Sequence, residues 1–435
     1  MTEVTASTHA ELVGFLDELE WRGILHATTP GIRERLATGR SIAAYIGFDP
    51  TADSLHVGHL IPIFGLLRFQ RHGGTPVALV GGGTGMIGDP SGRSTERNLL
   101  DLDTLTHNVA AIRAQLERFL DFSPGPNPAR IANNLDWLGK LSLIEYLRDT
   151  GKHFTIPYML AKDSVQQRLE RGLSFTEFSY MTLQALDFAT LYREQGVELQ
   201  MGGADQWGNI TAGLELIRRT AGADHDESPA HGIAYKLLLS PSGAKFGKSE
   251  GGDSVWLDPA RTTPYAFYQY WLNTDDRDVG MYLRWFTLFE REEIEGLDGA
   301  VVSRPESREA QRRLAFDVTA RVHGDEAAHE AERQGRTAFT QDLSALSADD
   351  LAAMREQVPH FVLTGDALAN ALDAAIGSNA FPSRGEARRH MANGGFYVNN
   401  VRITDPTAAL PEPLHGRFWV VRTGKKHVRL VERAG

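Results

Sequence analysis

The stretch SIAAYIGFDPTADSLHVGHLIPIFGLLRFQRHGGTPVALVGG, from Ser41 to Gly82, contains the order of elements that decides the fold. Its two ends, SIAAYIGF and TPVALVGG, are short apolar runs followed by turn residues, which is typical of buried strands. Between them, LIPIFGLLRFQRHGG has the apolar spacing of a helix and ends in glycines. A strand, a helix and a strand in this order predict a βαβ unit and therefore a parallel sheet.

The same alternation returns later in the chain. VELQMGG, residues 197–203, is typical of a strand, and QWGNITAGLELIRRT, residues 206–220, of the helix after it. The segments between, GKHFTIPYMLAKDSVQQRLE and SFTEFSYMTLQALDFATLYREQ, have mostly helical patterns and interrupt the alternation. We therefore expect an insertion between two halves of the sheet.

The remainder of the chain has two different patterns. From about Asp258 to Glu332 the pattern is helical, and the last part mixes a basic helix, SRGEARRHMANGG, with short strand-like runs such as RFWVVR. These patterns predict an α/β body, a helical middle and a small basic α+β tail. We place the boundaries at residues 1–257, 258–345, a linker at 346–370, and 371–435.

Composition limits the class of protein. The 435 residues are 42% hydrophobic and 23% charged, as in a soluble globular protein, and they include no cysteine, which excludes disulfides and thiolate metal sites. No apolar run reaches the roughly 18 residues of a membrane span, and the N-terminus does not have the pattern of a signal peptide. We therefore expect no membrane association and a cytoplasmic location.

The charge is unevenly distributed. The chain carries a net charge of −11, yet the residues from Phe381 to the end contain ten Lys/Arg and four Asp/Glu. The net charge of the tail is thus +6, and that of the residues before it is −17. A basic module on an acidic body can hold a polyanion locally, although a solvated basic surface explains the same charge equally well.

His56 and His59 are the first candidate site. On a helix this i, i+3 pair would share one face, with Asp53 and Ser54 as N-cap candidates just before it. Free N–H groups and the helix dipole there favour an anion, and Gly58 lets a flat ligand approach the backbone. The pattern favours phosphate contact; a metal pair and two ordinary surface histidines remain open.

A glycine-rich turn follows the second strand. LVGGGTGMIGDPSGR formally matches the dinucleotide fingerprint through Gly83, Gly85 and Gly88. The fingerprint should open a helix, however, and Asp89 is followed at once by a proline. We therefore interpret the segment as a turn that places Asp89 and Arg93 at the carboxyl edge of the sheet, where ligands of open α/β sheets bind.

Three further segments carry candidate polar residues. Tyr180, Gln184 and Asp187 have the spacing of one helical stripe, for which a solvent-facing position is the preferred interpretation and a pocket wall the alternative. GGADQWGN places Asp205 and Gln206 after a strand, again at the sheet edge. SPSGAKFGKSEGGDS carries two lysines in a loop rich in glycine and serine, where they could neutralise phosphate charge that develops in a transition state; a solvated linker is the alternative.

Together these segments resemble the class I aminoacyl-tRNA synthetases. HVGH at residues 56–59 is similar to their HIGH signature and KFGKS at residues 245–249 to their KMSKS signature. The resemblance to the bacterial tyrosyl-tRNA synthetase family is more specific, because YIGFDPTADSLHVGHL, GDPSGR, FTEFSYMTLQALDF, GGADQWGNITAGLELIR and KFGKS occur in its order and spacing. The tail segment SRGEARRHMANGGFYVNN resembles the S4-type RNA-binding module.

This resemblance implies an architecture and a reaction. The body would be a Rossmann-like parallel-sheet catalytic domain with a connective insertion, followed by a helical domain on the tRNA anticodon side and the S4-like RNA-binding domain. The reaction would join L-tyrosine to ATP as tyrosyl-adenylate and then transfer tyrosyl to the 3′ end of tRNA(Tyr). The implied partners are tyrosine, ATP with Mg²⁺, tRNA(Tyr) and a second copy of the chain; no tightly bound cofactor is expected.

The resemblance also assigns roles to individual residues. For tyrosine, the phenol would meet Tyr45 and Asp187, the ammonium Asp89, Tyr180 and Gln184, and the carboxylate Gln206. The ATP set comprises Asp49, Thr51, His56, Gly58, His59, Asp205, Lys245 and Lys248. The catalytic set would comprise Thr51, His56 and His59 at the phosphates and the cations Arg93, Arg97, Lys245 and Lys248 at the departing pyrophosphate. The RNA-binding set of the tail comprises Arg384, Arg388, Arg389, Lys425 and Lys426.

Three other functions compete with this one. A tryptophanyl-tRNA synthetase has the same fold, but Asp187 opposite Tyr45 favours a phenol over an indole. The interpretation as an NAD-linked oxidoreductase depends on the glycine-rich turn alone. It does not explain the histidine pair or the loop lysines. A non-catalytic RNA-binding protein would use only the tail, although the set of polar residues in the body is intact.

Overall fold

The computed structural model describes residues 4–91, 100–162, 165–166, 169, 172–220, 229–238, 246–247, 253–339, 343, 346–356, 358–424 and 427–434. The chain divides into two compact units. The first comprises Met1–Thr262 and Tyr270–Val322, and the second comprises Thr263–Gln269 and His323–Gly435. The functional boundaries expected from the sequence stay a prediction.

Strands and helices follow the order expected from the sequence. The strands of the described chain are β1 Leu25–Thr28, β2 Ala43–Phe48, β3 Thr75–Val80, β4 Arg130–Asn133, β5 Val197–Gly203, β6 His231–Tyr235, β7 His360–Leu363, β8 Phe396–Val398, β9 Val401–Arg402, β10 Phe418–Thr423 and β11 His427–Arg433. The α-helices are α1 Val4–Trp21, α2 Ile32–Ala37, α3 Leu60–Arg71, α4 Leu102–Leu116, α5 Leu135–Leu138, α6 Leu143–Glu145, α7 Ile156–Leu160, α8 Phe175–Gln195, α9 Trp207–Thr220, α10 Pro264–Leu272, α11 Asp276–Phe286, α12 Arg291–Ser303, α13 Glu309–His323, α14 Asp325–Phe339, α15 Ala348–Ala353, α16 Ala371–Gly377 and α17 Arg384–Ala392.

The first unit is built on a six-stranded sheet in the order β1-β6-β5-β2-β3-β4. All neighbouring pairs are parallel except β1 with β6, so the predicted parallel sheet is confirmed, with one antiparallel edge strand added. The chain runs from β2 outward to β3 and β4, and later from β5 outward to β6. The strand order therefore reverses between β2 and β5, which is where open sheets of this kind bind ligands.

The βαβ unit predicted from Ser41 to Gly82 is confirmed. Strands β2 and β3 pair in parallel register along their whole length, and α3 connects them. One face of α3 is buried and includes Phe64 and Phe69. Gly65 allows this helix to approach β6 closely, because a Cβ atom there would lie 2.5 Å from the hydroxyl of Tyr235.

The predicted second strand–helix pair and the insertion before it are also confirmed. Helix α8 begins at a Ser174 cap, whose hydroxyl accepts from the backbone N–H of Glu177, and ends at Gly196 with φ 65°. It packs against α9, the helix that follows β5. The short helices α5 to α7 lie in the chain between β4 and β5, which is the position expected for an insertion between the halves of the sheet.

Arg68 joins three helices of the first unit. Its side chain is 1% exposed and donates to the carbonyl oxygens of Arg284, Trp285 and Thr287 at the end of α11, at 3.1, 2.8 and 3.0 Å. Its charge is balanced by Glu18 of α1, whose pKa is lowered to about 2 because hydrogen bonds and the charges of two arginines outweigh burial. The guanidinium thus satisfies backbone carbonyls that have no partner within the helix.

The second unit contains the predicted α+β tail. Its sheet has the order β7-β11-β10-β8-β9, in which β7 pairs with β11 in parallel and the other pairs are antiparallel. The core of this sheet includes Phe381, Met391, Phe396 and Trp419. The basic helix expected from SRGEARRHMANGG is α17, capped by the hydroxyl of Ser383.

The segment predicted as a linker contains regular secondary structure. Within residues 346–370 the structure has helix α15, started by a capping box between Ser347 and Asp350, and strand β7. The four residues of β7 are too few for alternation to be read from the sequence. Their strand conformation depends on pairing with β11, about seventy positions later in the chain, which no local pattern predicts.

Candidate active site

A cavity of about 440 Å³ lies at the point where the strand order reverses. It is lined from β2 by Tyr45 and from β5 by Gln200, which are direct neighbours in the sheet. All twelve site residues that were predicted for the body and that the structure describes line this cavity: Tyr45, Asp49, Thr51, His56, Gly58, His59, Asp89, Tyr180, Gln184, Asp187, Asp205 and Gln206. Segments far apart in the sequence are thus brought to one place.

One end of the cavity holds a buried carboxyl group. Asp187 is 1% exposed, and its two oxygens accept hydrogen bonds from the Trp137 indole at 2.7 Å and the Asn134 amide at 2.8 Å. Burial raises the pKa of Asp187 to about 7, although both hydrogen bonds act in the opposite direction. This carboxyl therefore changes its charge close to neutral pH.

Tyr45 lies beside this carboxyl. Its ring packs against Phe188 at 5.4 Å between centroids, and its hydroxyl is buried without a hydrogen-bond partner among the described residues. Burial, and secondly the charge of Asp187, raises the pKa of Tyr45 well above its usual range. A buried hydroxyl without a partner costs free energy, so this end of the cavity is prepared for a polar group of a ligand.

The central part of the cavity is polar. The hydroxyl of Tyr180 donates to Asp49 at 2.8 Å, and the Gln206 amide donates to Asp89 at 2.7 Å. Burial and the surrounding carboxylates raise the pKa of the Tyr180 hydroxyl, so it stays protonated and remains a donor. Acidic groups therefore dominate this region, and an ammonium group is the charge that fits among them.

The preferred interpretation of the Tyr180 stripe was wrong. Tyr180 and Asp187 are 5% and 1% exposed, so this face of α8 forms the wall of the cavity and does not meet solvent. Helical spacing shows only that these residues share a face. Which side of the helix meets the sheet is decided by packing, and here the polar face lies towards the strand edge.

The two histidines lie at the other end of the cavity. The backbone N–H of Gly58 donates to Nδ1 of His56, and that of His56 donates to Nδ1 of His59, both at 3.1 Å. Because each Nδ1 accepts, each neutral ring carries its proton on Nε2. Both rings therefore offer an N–H donor, which suits a phosphate, and neither offers the lone pair that a metal needs.

The predicted helix start was placed too early. His56 itself caps a 3₁₀ turn, Val57–His59, and α3 follows it, so Asp53 and Ser54 are not the N-caps. Asp53 instead pairs with Arg261, and the Ser54 hydroxyl donates to a backbone carbonyl. The chain makes bends over these residues before the helix begins, and bends leave no periodicity in the sequence.

The glycine-rich turn does not open a nucleotide-binding helix. It forms a 3₁₀ turn, Thr84–Met86, followed by Gly88 with φ 87°. Gly81 is needed for close approach, because a Cβ atom there would lie 2.2 Å from an oxygen of Asp49. The interpretation as a turn at the sheet edge is confirmed for Asp89, and the dinucleotide fingerprint is a coincidence of spacing.

Several predicted residues lie outside the described part of the chain. These are Arg93, Arg97, Lys245, Lys248, Lys425 and Lys426. In the second unit, Arg384, Arg388 and Arg389 are exposed on α17, where Arg384 also pairs with Asp373 at 2.5 Å. Among the described residues no cluster of three or more His, Asp or Glu side chains could hold a metal ion.

The sequence interpretation missed three polar side chains of this site. Asn134 and Trp137 follow β4 and hold Asp187, and Thr84 lies in the glycine-rich turn. The signal for Asn134 was its position directly after a short strand at the same sheet edge. No comparable signal existed for Trp137, because its contact depends on how the chain turns after that strand.

Comparison with known proteins identifies the class of this fold and site. A family model described as tRNA synthetases class I (W and Y) matches residues 37–340. A second model, described as the Tyrosine--tRNA ligase SYY-like C-terminal domain, matches residues 350–431. The chain therefore belongs to the class I tRNA synthetases of the W and Y family.

The names of three individual relatives specify tyrosine as the amino acid. The chain is 50% identical to "Tyrosine--tRNA ligase" of Roseiflexus castenholzii, over 96% of this chain and 98% of the relative. It is 49% identical to the enzyme of that name from Geobacillus stearothermophilus, over 96% and 99%. The C-terminally truncated mitochondrial tyrosyl-tRNA synthetase of Aspergillus nidulans matches with a TM-score of 0.68 and 29% identity, over 78% of this chain and all of that one. The predicted tyrosine–tRNA ligase is confirmed.

The titration of Asp187 is testable without any ligand. We expect the indole N–H resonance of Trp137 to shift with a midpoint near pH 7, because the carboxyl that accepts its hydrogen bond ionises there. Proton NMR from pH 5 to 9 measures this, with the resonance assigned through Trp137→Phe. In Asp187→Asn the shift should vanish; a resonance that stays constant in the native chain would contradict the assignment.

Proposed function

We propose that this cavity binds L-tyrosine at the Asp187 end and ATP at the histidine end, and that it forms tyrosyl-adenylate between them. One observation decides which end binds tyrosine. The Tyr45 hydroxyl is buried beside the Asp187 carboxyl group and has no hydrogen-bond partner within the described chain. A phenol can donate to Asp187 and accept from Tyr45 at the same time. The opposite end offers two imidazole N–H donors, which suit phosphate oxygens.

Selection against phenylalanine follows from the same pair. A phenyl ring fills the space but leaves the buried Tyr45 hydroxyl and one face of the Asp187 carboxylate without a partner. Each unpaired buried polar group costs about 1–3 kcal/mol. Trp137 and Asn134 already donate to Asp187, so its orientation is set before the substrate arrives. A pre-oriented acceptor loses little entropy on binding.

The backbone groups of tyrosine would lie in the central, acidic part. Asp89, Tyr180 and Gln184 would hold its ammonium, and Gln206, which already donates to Asp89, would lie near its carboxylate. The amide of Asn209 donates to Gln184 at 3.0 Å and so orients its oxygen. This leaves the substrate carboxylate directed to the region between the acidic centre and the histidines.

ATP would occupy the remaining part of the cavity. Thr51, His56, Gly58 and His59 would meet its phosphates, while Asp49 and Asp205 would face the ribose or α-phosphate region. The departing pyrophosphate would be stabilised by cations that the chain supplies from outside its described part. These catalytic cations are Arg93, Arg97, Lys245 and Lys248.

The first reaction step needs no general base. The tyrosine carboxylate is already ionised at neutral pH. One of its oxygens attacks the α-phosphorus of ATP, the new O–P bond forms as the bond to the bridging oxygen breaks, and the electron pair leaves with pyrophosphate. The protein lowers the barrier by positioning and by charge. Mg²⁺ would arrive with ATP as part of the substrate.

The second step would use the tail of the chain. A terminal ribose hydroxyl of tRNA(Tyr) takes the tyrosyl group, and AMP leaves. Exposed arginines of α17, together with Lys425 and Lys426, would bind the RNA backbone. A protein that acts on tRNA in translation implies a cytoplasmic location, which we include in the proposal.

We also propose that the enzyme is a homodimer. The insertion between β4 and β5 exposes five large apolar side chains by 49–77%: Leu143, Ile144, Leu147, Ile156 and Phe175. Exposed apolar groups of this size in one short segment mark a protein interface, and a second copy of the same chain is the commonest partner. Covering them requires no other protein.

Tyr45→Phe tests the phenol site. Removing only the hydroxyl keeps the ring against Phe188, so we expect kcat/KM for tyrosine to fall about tenfold while that for phenylalanine rises, because a phenyl ring no longer leaves a buried hydroxyl unpaired. Amino-acid-dependent exchange of labelled pyrophosphate into ATP measures both values. Tyr192→Phe, on α8 but outside the cavity lining, is the matched control. If the ratio of kcat/KM for tyrosine to that for phenylalanine is unchanged in Tyr45→Phe, Tyr45 does not take part in recognising the phenol.

Replacing Arg384, Arg388 and Arg389 together by glutamine tests the role of the tail. We expect kcat/KM for tRNA in the transfer step to fall about tenfold or more, because three phosphate contacts are lost, whereas adenylate formation continues at the native rate. Pyrophosphate exchange and tRNA charging separate the two steps. Arg113→Gln, on the exposed face of α4, serves as control. Equal losses in both assays would argue against a separate RNA-binding function.

Phe175→Asp tests the dimer. The side chain is 77% exposed, so the substitution places a charge in the proposed interface without disturbing the core. We expect the mass measured by sedimentation equilibrium to fall from that of two chains to that of one. Val302→Asp, 86% exposed on α12, should leave the dimer intact. A native chain that already sediments as a monomer refutes this part of the proposal.

A further inference from the structure

A continuous chain of hydrogen bonds joins the Asp187 end of the cavity to its central part. The Asn134 amide donates to Asp187 at 2.8 Å and to the hydroxyl of Thr84 at 2.9 Å. Thr84 in turn donates to Asp49 at 2.8 Å, and Asp49 accepts from Tyr180 on its second oxygen. Two carboxylates with different proposed ligands are therefore linked through one amide and one hydroxyl.

The direction of each hydrogen bond in this chain is determined. The backbone N–H of Gly83 donates to the amide oxygen of Asn134 at 2.7 Å, so the Asn134 nitrogen must face Asp187 and Thr84 and supplies one hydrogen to each. An ionised carboxylate only accepts, so the single hydroxyl hydrogen of Thr84 goes to Asp49. Thr84 is the one member that both accepts and donates.

The position of Thr84 is closely constrained. Its side chain is 3% exposed, and Asn134 is 1% exposed. A Cβ atom on Gly81 would lie 2.5 Å from the Thr84 hydroxyl and 2.2 Å from Asp49, so only glycine at position 81 leaves room for their contact. The branched side chain of threonine also has few rotamers. The hydroxyl is thus held between its two partners and does not rotate freely to others.

We propose that Thr84 is a positioning residue that couples recognition of the tyrosine hydroxyl to the nucleotide side of the site. It touches neither reacting atom. It holds Asn134 so that the amide can orient Asp187, and it holds Asp49 against Tyr180. This inference rests on the proposed roles of Asp187 and Asp49 in binding tyrosine and ATP.

Loss of the Thr84 hydroxyl affects both carboxyl groups, Asp187 and Asp49. Asn134 would keep an unpaired buried N–H, which costs more than a hydrogen bond gains, and Asp49 would lose the hydrogen bond that Thr84 donates to it. Both carboxylates could then move towards other donors. The consequence is a change in tyrosine selectivity together with a change in the KM for ATP, although Thr84 lies in neither ligand's proposed contact set.

Three substitutions separate the hydroxyl from packing. Thr84→Val keeps the shape and removes the hydroxyl, Thr84→Ser keeps the hydroxyl and removes a methyl group, and Thr84→Ala removes both. We expect the Val and Ala variants to lose about tenfold in the ratio of kcat/KM for tyrosine to that for phenylalanine, and to raise the KM for ATP severalfold. Thr84→Ser should restore most of both values. Thr190→Val, a buried threonine of α8 outside the cavity lining, is the control.

The Trp137 resonance gives an independent readout. In Thr84→Val the midpoint of its titration should move above that of the native chain, because Asp187 loses a well-placed donor and its carboxylate is less stabilised. A purely structural role of Thr84 would lower stability without moving this midpoint. Circular dichroism checks that each variant is folded, and Thr84→Ala replaces Thr84→Val if the latter is not.

The outcomes distinguish this inference from the proposed function. If the native chain shows no tyrosine-dependent pyrophosphate exchange, the proposed function fails and this inference fails with it. If the native chain is active and both hydroxyl-free variants keep the native selectivity and ATP KM, only the inference is overturned. If Thr84→Ser behaves like Thr84→Ala while Thr84→Val behaves like the native chain, the effect comes from the methyl group. That result also overturns the inference.

Discussion

The buried carboxyl group of Asp187 is the constraint on which the site depends. A carboxyl that is 1% exposed resists ionisation, and its pKa accordingly rises to about 7. It accepts hydrogen bonds in a fixed orientation because Trp137 and Asn134 each donate to one oxygen. Since both donors are present before any ligand, this acceptor is oriented during folding, and the phenol that we propose as its ligand would gain its full hydrogen bond.

The fold brings the other residues of the site together because the carboxyl ends of the parallel strands meet at one edge of the sheet. Strand β2 runs outward to β3, and β5 runs outward to β6, so a crevice opens between β2 and β5. Tyr45 enters it from one strand, α8 covers it with Asp187, and the turn before α3 carries His56 and His59. Asp187 and the two histidines therefore lie in one cavity although they are separated by more than a hundred positions in the chain.

Part of this site could be predicted from strand and helix periods, which place Asp89, Asp205 and Gln206 after strands; the roles of most of the other residues came from the resemblance to a known family. Periodicity could not show which side of α8 meets the sheet, so the stripe beginning at Tyr180 was first assigned to solvent. Nor could it show that Thr84 and Asn134 would meet, because their hydrogen bond depends on two turns that leave no repeating pattern. The helix start was misplaced for the same reason: His56 caps a 3₁₀ turn that follows several bends.

We propose that one cavity selects a phenol and activates its amino acid with ATP. Pyrophosphate exchange by the purified native chain, with L-tyrosine, L-phenylalanine and L-tryptophan compared at equal concentrations, tests it most directly. The paired groups Tyr45 and Asp187 predict rapid exchange with tyrosine and at least tenfold slower exchange with the other two. Exchange with tryptophan in the absence of exchange with tyrosine would show that the cavity does not select a phenol.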